Sequence, residues 1–332
     1  MYKALVVGLS AALVSVFTLG GCATTQQLDP VVFPIEATPG YDDGFDATRL
    51  TIHRGDLSGI VTFEQMIDDL RDAEVILVGE MHGHEPSLDF IATTFDRLIQ
   101  ENPSLALSME FYERDQQIPL DDYVRGIIDY EQFVKLARRN DGNNPIGHLR
   151  MVELCKQHNR PVIAANAPRR YTSIARKEGF EGYRKLNDRQ MRLVEVPKGL
   201  PSGSYAERFR DAMSGMAAHG GEEMINGFLR SQTVWDQTMA VSVADLHARG
   251  SSVFHVVGHF HVDHGTVPGG SAMTDAIRDR IGTGAKLRSI VMHASDKQIE
   301  NMSVTAQDAG NESELYPGPA ADYILYFSES TD

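Results

Sequence analysis

Short apolar runs recur along the chain, and each run is followed by polar residues. Runs rich in Val, Ile and Leu, bounded by polar or turn-forming residues, are typical of strands buried on both faces of a sheet. Six such runs predict strands at Val75–Gly79, Leu105–Met109, Pro161–Ala165, Val253–Gly258, Leu287–Met292 and Tyr323–Phe327.

Helical patterns separate these runs. Thr62 and Gln65 have the spacing of a capping box, which predicts a helix that starts at once afterwards. Pro86 indicates the start of a second helix, whose apolar residues from Leu88 to Ile99 keep helical spacing. Strands that alternate with helices predict an α/β fold, with a mostly parallel sheet flanked by helices.

One long segment departs from this alternation. Between about residues 115 and 250 the patterns are helical apart from the run at Pro161–Ala165. We therefore expect a largely helical insertion or subdomain that packs on one end of the sheet.

The N-terminus has the pattern of an export signal. Lys3 precedes an apolar stretch, Ala4–Thr18, which is followed by Leu19–Cys22 with the sequence LGGC. A charged start, a short apolar core and a small-residue exit are typical of a signal peptide. LGGC resembles a bacterial lipobox, so we expect residues 1–21 to be removed and Cys22 to carry acyl chains such as palmitate. The expected location is the outer membrane, because by resemblance to enteric lipoproteins residue 23, here Ala, would direct the chain there.

Residues 22–49 are then predicted to be a tether, and residues 50–332 the functional domain. Composition adds two constraints on this domain. A formal net charge of −15 argues against a nucleic-acid partner, which would need a basic face. With Cys22 lipidated, Cys155 has no partner for a disulfide, and its apolar helical context predicts a buried thiol.

Polar residues collect where the predicted strands end. Six of the 12 histidines directly follow three of the strands. In open α/β sheets, ligands bind beyond the carboxyl ends of the strands. The segments after the strands are Glu80–Glu85, Glu110–Arg114, Asn166–Tyr171, His259–His264 and His293. We therefore expect a functional site at this edge of the sheet.

The residue types leave two kinds of chemistry open. Imidazoles and carboxylates bind metals, which makes Glu80, His82, Glu110 and His264 candidate ligands of a divalent metal. The same types perform general acid–base chemistry, and a hydrolase would use Glu80, His82, Glu110 and His259.

Several blocks together resemble the ChaN-like haem-binding lipoproteins. They are VILVGEMHGHE at 75–85, SMEFYERDQQ at 108–117, ANAPRRY at 165–171, WDQTMA at 235–240 and VGH at 257–259. The resemblance implies haem as cofactor, with a tyrosine phenolate on the iron and histidines nearby. Tyr171 is the first choice for that tyrosine and Tyr112 the second. The remaining candidates for haem contact are His84, His259 and His261, with Arg169 and Arg170 for the propionates.

The resemblance also implies a role. It describes a lipid-anchored protein of haem and iron acquisition, which binds haem without being an enzyme and forms a homodimer around the ligand. Erythromycin-esterase-like and Tiki-like relatives hydrolyse their substrates, so a metal-dependent hydrolase stays as the alternative. A structural lipoprotein whose polar loops contact a partner is a third interpretation.

Overall fold

The computed structural model describes residues 50–140, 142–293 and 318–327. The predicted signal peptide, Cys22 and the tether up to residue 49 lie outside the described residues. Within those that are described, no helix combines the length and apolar character needed to span a membrane.

A single sheet of eight strands forms the centre of the protein, in the order β2-β1-β8-β7-β3-β6-β4-β5. All six predicted strands are confirmed, and β1 and β2 are additional to them. The strands are β1 (Leu50–Arg54), β2 (Ile60–Val61), β3 (Val75–Glu80), β4 (Leu105–Glu113), β5 (Val162–Asn166), β6 (Ser252–Gly258), β7 (Leu287–His293) and β8 (Tyr323–Phe327).

The six strands from β3 to β8 pair in parallel, whereas β1 is antiparallel to β2 and to β8. The predicted α/β fold with a mostly parallel sheet is therefore confirmed. The central strand β3 is buried along its whole length, as its unbroken apolar run predicts.

Ten α-helices surround the sheet in the described part of the chain. They are α1 (Phe63–Leu70), α2 (Glu85–Glu101), α3 (Gln117–Val124), α4 (Tyr130–Leu136), α5 (Ile146–Gln157), α6 (Arg169–Glu178), α7 (Asp188–Met191), α8 (Ser204–Ala212), α9 (Ser214–Ala248) and α10 (Ala272–Ile281). Helices α1 to α5 contribute to the apolar core on one face of the sheet. The core on the other face packs against α9 and α10.

Local sequence signals account for the helix starts. Thr62 and Gln65 form the predicted capping box at the start of α1. Between β4 and β6 the chain forms α3 to α9 and the edge strand β5, which agrees with the expected helical insertion. Cys155 is fully buried in α5, as predicted.

Candidate functional site

Three adjacent strands, β3, β6 and β4, bring their carboxyl ends together at one edge of the sheet. Glu80 at the end of β3 is in register with Gly258 at the end of β6. A Cβ on Gly79 would lie 2.7 Å from His259 Cα, so only a glycine permits this close approach of the two strand ends. The expected convergence of polar residues at this edge is therefore present.

Glu80 is the buried centre of the first group. Its carboxylate accepts hydrogen bonds from His82 Nδ1 (3.1 Å) and is 2.6 Å from Nε2 of His148, which lies on α5. Burial alone would raise the pKa of Glu80, but the bonds from both imidazoles lower it below its ordinary value. The Glu80 bond in turn raises the pKa of His82.

A second group of interacting side chains begins at Glu110 and extends into the protein interior. One of the Glu110 oxygens accepts the Gly258 backbone N–H (2.7 Å), and the other lies 3.7 Å from His261 Nε2. His261 Nδ1 is 2.5 Å from the fully buried Asp236 of α9, whose second oxygen accepts a 2.5 Å hydrogen bond from the Tyr205 hydroxyl. Burial lowers the pKa of His261, but the Asp236 and Glu110 carboxylates outweigh it and the pKa is raised.

His259 forms the third pair. Its Nδ1 is 2.7 Å from Asp263 Oδ2, one helical turn further along the chain. Burial lowers the pKa of His259, and the bond to Asp263 raises it by more, so the net shift is upward. Together these three groups form what we call the carboxyl-end cluster: Glu80, His82, Glu110, His148, Asp236, His259, His261 and Asp263.

The cluster consists of imidazole–carboxylate pairs, with two accessible rings and a buried interior. The His82 side chain is 65% exposed and that of His259 is 42% exposed, whereas Glu80, His148, His261 and Asp236 are buried. Such pairs fix the orientation and tautomer of an imidazole, which suits it to ligation or to proton transfer.

The divalent-metal prediction finds no support. Among the described residues, no three His, Cys, Asp or Glu side chains are placed to hold a metal ion. His264 does not join the cluster, because its Nδ1 bonds Gly318 O (3.1 Å). Both Glu80 oxygens pair with imidazoles, and one Glu110 oxygen accepts a backbone N–H, so these three oxygens already have partners within the protein.

The two candidate tyrosines are buried in apolar clusters. Tyr112 is fully buried, because β4 extends to Glu113 rather than ending at Met109 and the ring points into the core. Its hydroxyl is 3.5 Å from Asn144, and burial raises its pKa to about 12, so it is a neutral phenol. Tyr171, at the start of α6, is 8% exposed and packs in a separate apolar cluster.

The remaining candidates for haem contact, His84, Arg169 and Arg170, also interact with residues close to them. His84 is the N-cap of α2, where Nδ1 accepts the Ser87 N–H (3.3 Å), so it has a structural role in addition to its predicted one. Arg170 is exposed, pairs with Asp115 (2.7 Å) and lies 4.5 Å above the Tyr171 ring. Arg169 is exposed, and its backbone N–H donates to Glu113 (3.0 Å).

Sequence reasoning missed three members of this hydrogen-bonded system. His148, Asp236 and Tyr205 come from the middle or first turn of helices α5, α9 and α8. No strand end precedes them, and each reaches the site through tertiary packing. The one signal that Asp236 offered is its place in the WDQTMA block at residues 235–240.

Comparison with known proteins places this site in a family. Residues 66–268 match the family model described as haem-binding uptake, Tiki superfamily, ChaN. That range runs from α1 past the end of β6 and includes the whole cluster. The search of curated proteins gave no match.

A solved structure has the same fold. The structure of cofacial heme binding to ChaN of Campylobacter jejuni has a TM-score of 0.60 at 16% identity, and the alignment covers 84% of this chain and 97% of that one. At this identity the likeness shows the fold. An erythromycin esterase mutant in its open conformation has a TM-score of 0.45 at 10% identity, over 85% of this chain and 99% of the esterase.

Proposed function

This chain belongs to the ChaN family of haem-binding uptake proteins in the Tiki superfamily, and from that premise we propose that it binds haem at the carboxyl-end cluster. The observation that carries the proposal is the family match over residues 66–268, which contains every residue of the cluster. A structural neighbour with the same fold binds heme cofacially, and this supports the proposal.

The residues at this edge of the sheet fit the chemistry of haem. Haem iron takes an imidazole or phenolate ligand, its macrocycle favours aromatic contacts, and its propionates pair with cations. His82 is an exposed imidazole, and the Phe111 ring lies edge-on to it at 5.7 Å. Arg169 and Arg170 supply exposed guanidinium groups at the start of α6.

An absorbance titration tests this proposal. Hemin added to the full-length protein in detergent should give a saturable Soret band that is distinct from that of free hemin in the same detergent. Heat-unfolded protein at equal concentration is the control for non-specific hemin uptake. A spectrum that never departs from free hemin would contradict the proposal.

We propose further that the protein is a lipid-anchored outer-membrane component of haem and iron acquisition, and that it dimerises on haem. The LGGC sequence at residues 19–22 supports the anchor, and the family supports the uptake role. Mass spectrometry of the mature protein should find an N-terminal, acylated Cys22, and Cys22→Ser should abolish the acylation. An intact Met1 terminus would contradict this anchor. Sedimentation with and without hemin tests the dimer.

A hydrolase without a metal is the second candidate function. The observation that favours it is the exposed His82, held by the Glu80 carboxylate and close to a second carboxylate, Glu110, which together suit general acid–base chemistry. Hemin-free protein should then cleave members of an ester and peptide library. Glu80→Gln should abolish that turnover, and an unchanged rate would argue against this candidate.

A further inference from the structure

A polar cavity of about 310 Å³ lies away from the carboxyl-end cluster. It is formed where the end of β1 and helix α1 meet the first residues of β7 and β8. Arg288, in its wall, is in register with Ile76 near the start of β3, whereas Glu80 of the cluster is at the end of β3. The cavity is therefore a separate place on the protein. It is lined by Arg54, Gln65, Asp69, Arg288, Asp322 and Tyr323.

The floor of the cavity is a hydrogen-bonded group whose charges neutralise each other. Arg288 donates to both oxygens of Asp69, from Nε (2.5 Å) and from Nη2 (3.0 Å), and the hydroxyl of the buried Tyr323 also donates to Asp69 (3.1 Å). The Arg288 bonds are the largest cause of the lowered pKa of Asp69. The pKa of Arg288 is raised, first by the bond to Asp69 and in part by the charge of Asp322. Because a bidentate guanidinium–carboxylate pair has a fixed geometry, this floor is rigid.

Arg54 and Asp322, in the wall, carry opposite charges and do not pair with each other. The two lie side by side, because Arg54 is in register with Tyr323 and the Gly55 N–H donates to the Asp322 carbonyl (2.8 Å). Asp322 Oδ2 accepts from the backbone N–H (2.7 Å) and the hydroxyl (2.8 Å) of Ser289. Among the residues that the structure describes, Asp322 Oδ1 has no hydrogen-bond partner, and the Arg54 guanidinium has neither a hydrogen bond nor an ion pair.

The charges of the lining select the kind of molecule that fits. Two guanidiniums and two carboxylates line the cavity, so their formal charges cancel. A simple anion would meet the carboxylate of Asp322, and a simple cation would meet the guanidinium of Arg54. A molecule with both a carboxylate and an ammonium group would satisfy both side chains, because a guanidinium binds a carboxylate through two parallel hydrogen bonds and an ammonium group has only donors.

We infer that this cavity binds a small zwitterion of the α-amino-acid class. The carboxylate of the ligand pairs with Arg54, and its ammonium group donates to Asp322 Oδ1. The cavity volume is at the lower end of the range for ligand pockets, which suits a ligand of this size. The inference does not depend on haem binding.

Isothermal titration calorimetry on the full-length protein in detergent tests the inference, with the common L-amino acids as probes. At least one of them should bind saturably. Its analogues without the amine or without the carboxylate should bind about tenfold more weakly or worse, since each loses one charge-assisted contact. No saturable heat with any amino acid would overturn the inference. An amine-free analogue that binds as tightly as the amino acid would also overturn it, because the cavity would then be an anion site.

Substitutions locate the binding. Arg54→Gln and Asp322→Asn each remove one charge, and each should weaken the amino acid about tenfold. Arg125→Gln is the matched control, because Arg125 is an exposed arginine at the end of α3, which packs beside the edge strand β5. It should keep wild-type affinity, and wild-type affinity in Arg54→Gln would contradict the inference. Circular dichroism verifies that each variant is folded.

Hemin separates this inference from the proposed function. Saturating hemin should leave the amino-acid affinity unchanged, and competition between the two ligands would contradict a separate site. A protein that binds an amino acid and no hemin would refute the proposed function alone.

Discussion

The buried His255 links the stability of the sheet to pH. His255 lies on β6 below the cluster, where Nδ1 is 2.9 Å from Ser108 Oγ on β4 and the side chain is fully buried. Nε2 has no hydrogen-bond partner in the described part of the chain. Burial, together with the nearby charge of His261, lowers the pKa of His255 to about 3.

The sign of the effect follows from the unfolded state. In the unfolded chain the pKa of a histidine is about 6.5, so below that pH the unfolded chain binds a proton that the folded protein does not. Acidification therefore favours unfolding. Each pH unit between the two pKa values lowers the free energy of unfolding by about 1.4 kcal/mol. Going from about pH 7.5 to about pH 4.5 crosses about two such units, below about 6.5, so His255 should lower the free energy of unfolding by about 3 kcal/mol.

Urea unfolding of wild type and His255→Asn at both pH values measures this cost. The variant keeps an amide near Ser108 but cannot titrate, so its loss of unfolding free energy on acidification should be smaller than that of wild type by about 3 kcal/mol. Val257→Ala is the control, because Val257 is a fully buried residue of the same strand. It should lower stability at both pH values and keep the wild-type acid loss. Equal acid losses in wild type and His255→Asn would refute the reasoning.

Three further substitutions test the site. Gly258→Ala places a Cβ 2.9 Å from the His82 ring, which must then move. It should weaken hemin affinity about tenfold, corresponding to ~1.4 kcal/mol, with an unchanged far-ultraviolet spectrum, and wild-type affinity would contradict a role of the His82 position in binding. Asp236→Asn removes the counter-ion of buried His261 and should cost about 3–5 kcal/mol in urea unfolding. Because the pKa of His261 is raised, its stabilising contribution is present below about pH 6.5 and is lost as the pH rises through the folded pKa, so the variant should lack this part of the alkaline decline. A decline identical to that of wild type would be the contrary result. Tyr112→Phe should leave the hemin spectrum unchanged, and an altered spectrum would restore Tyr112 as a ligand.

The fold was predictable because its strands are buried on both faces. A short, unbroken apolar run such as Val75–Gly79 predicts a buried strand. Because such runs alternate with helices along the chain, the strands are expected to form a parallel sheet. The short strands β1 and β2 escaped prediction because β1 is only partly buried and β2 has two residues.

The site was predictable where it depends on strand ends and unpredictable where it depends on packing. Glu80, Glu110 and His259 follow apolar runs, and topology alone brings them together. His148 and Asp236 reach the same place from helices far away along the chain, which no spacing rule reveals. Tyr112 shows the converse case, since a strand that ends later than predicted places a candidate ligand in the core.

A crystal structure of the hemin complex tests the central claim most directly. The account predicts haem at the carboxyl ends of β3, β4 and β6, beside the exposed rings of His82 and His259. Haem bound elsewhere on the protein would contradict it.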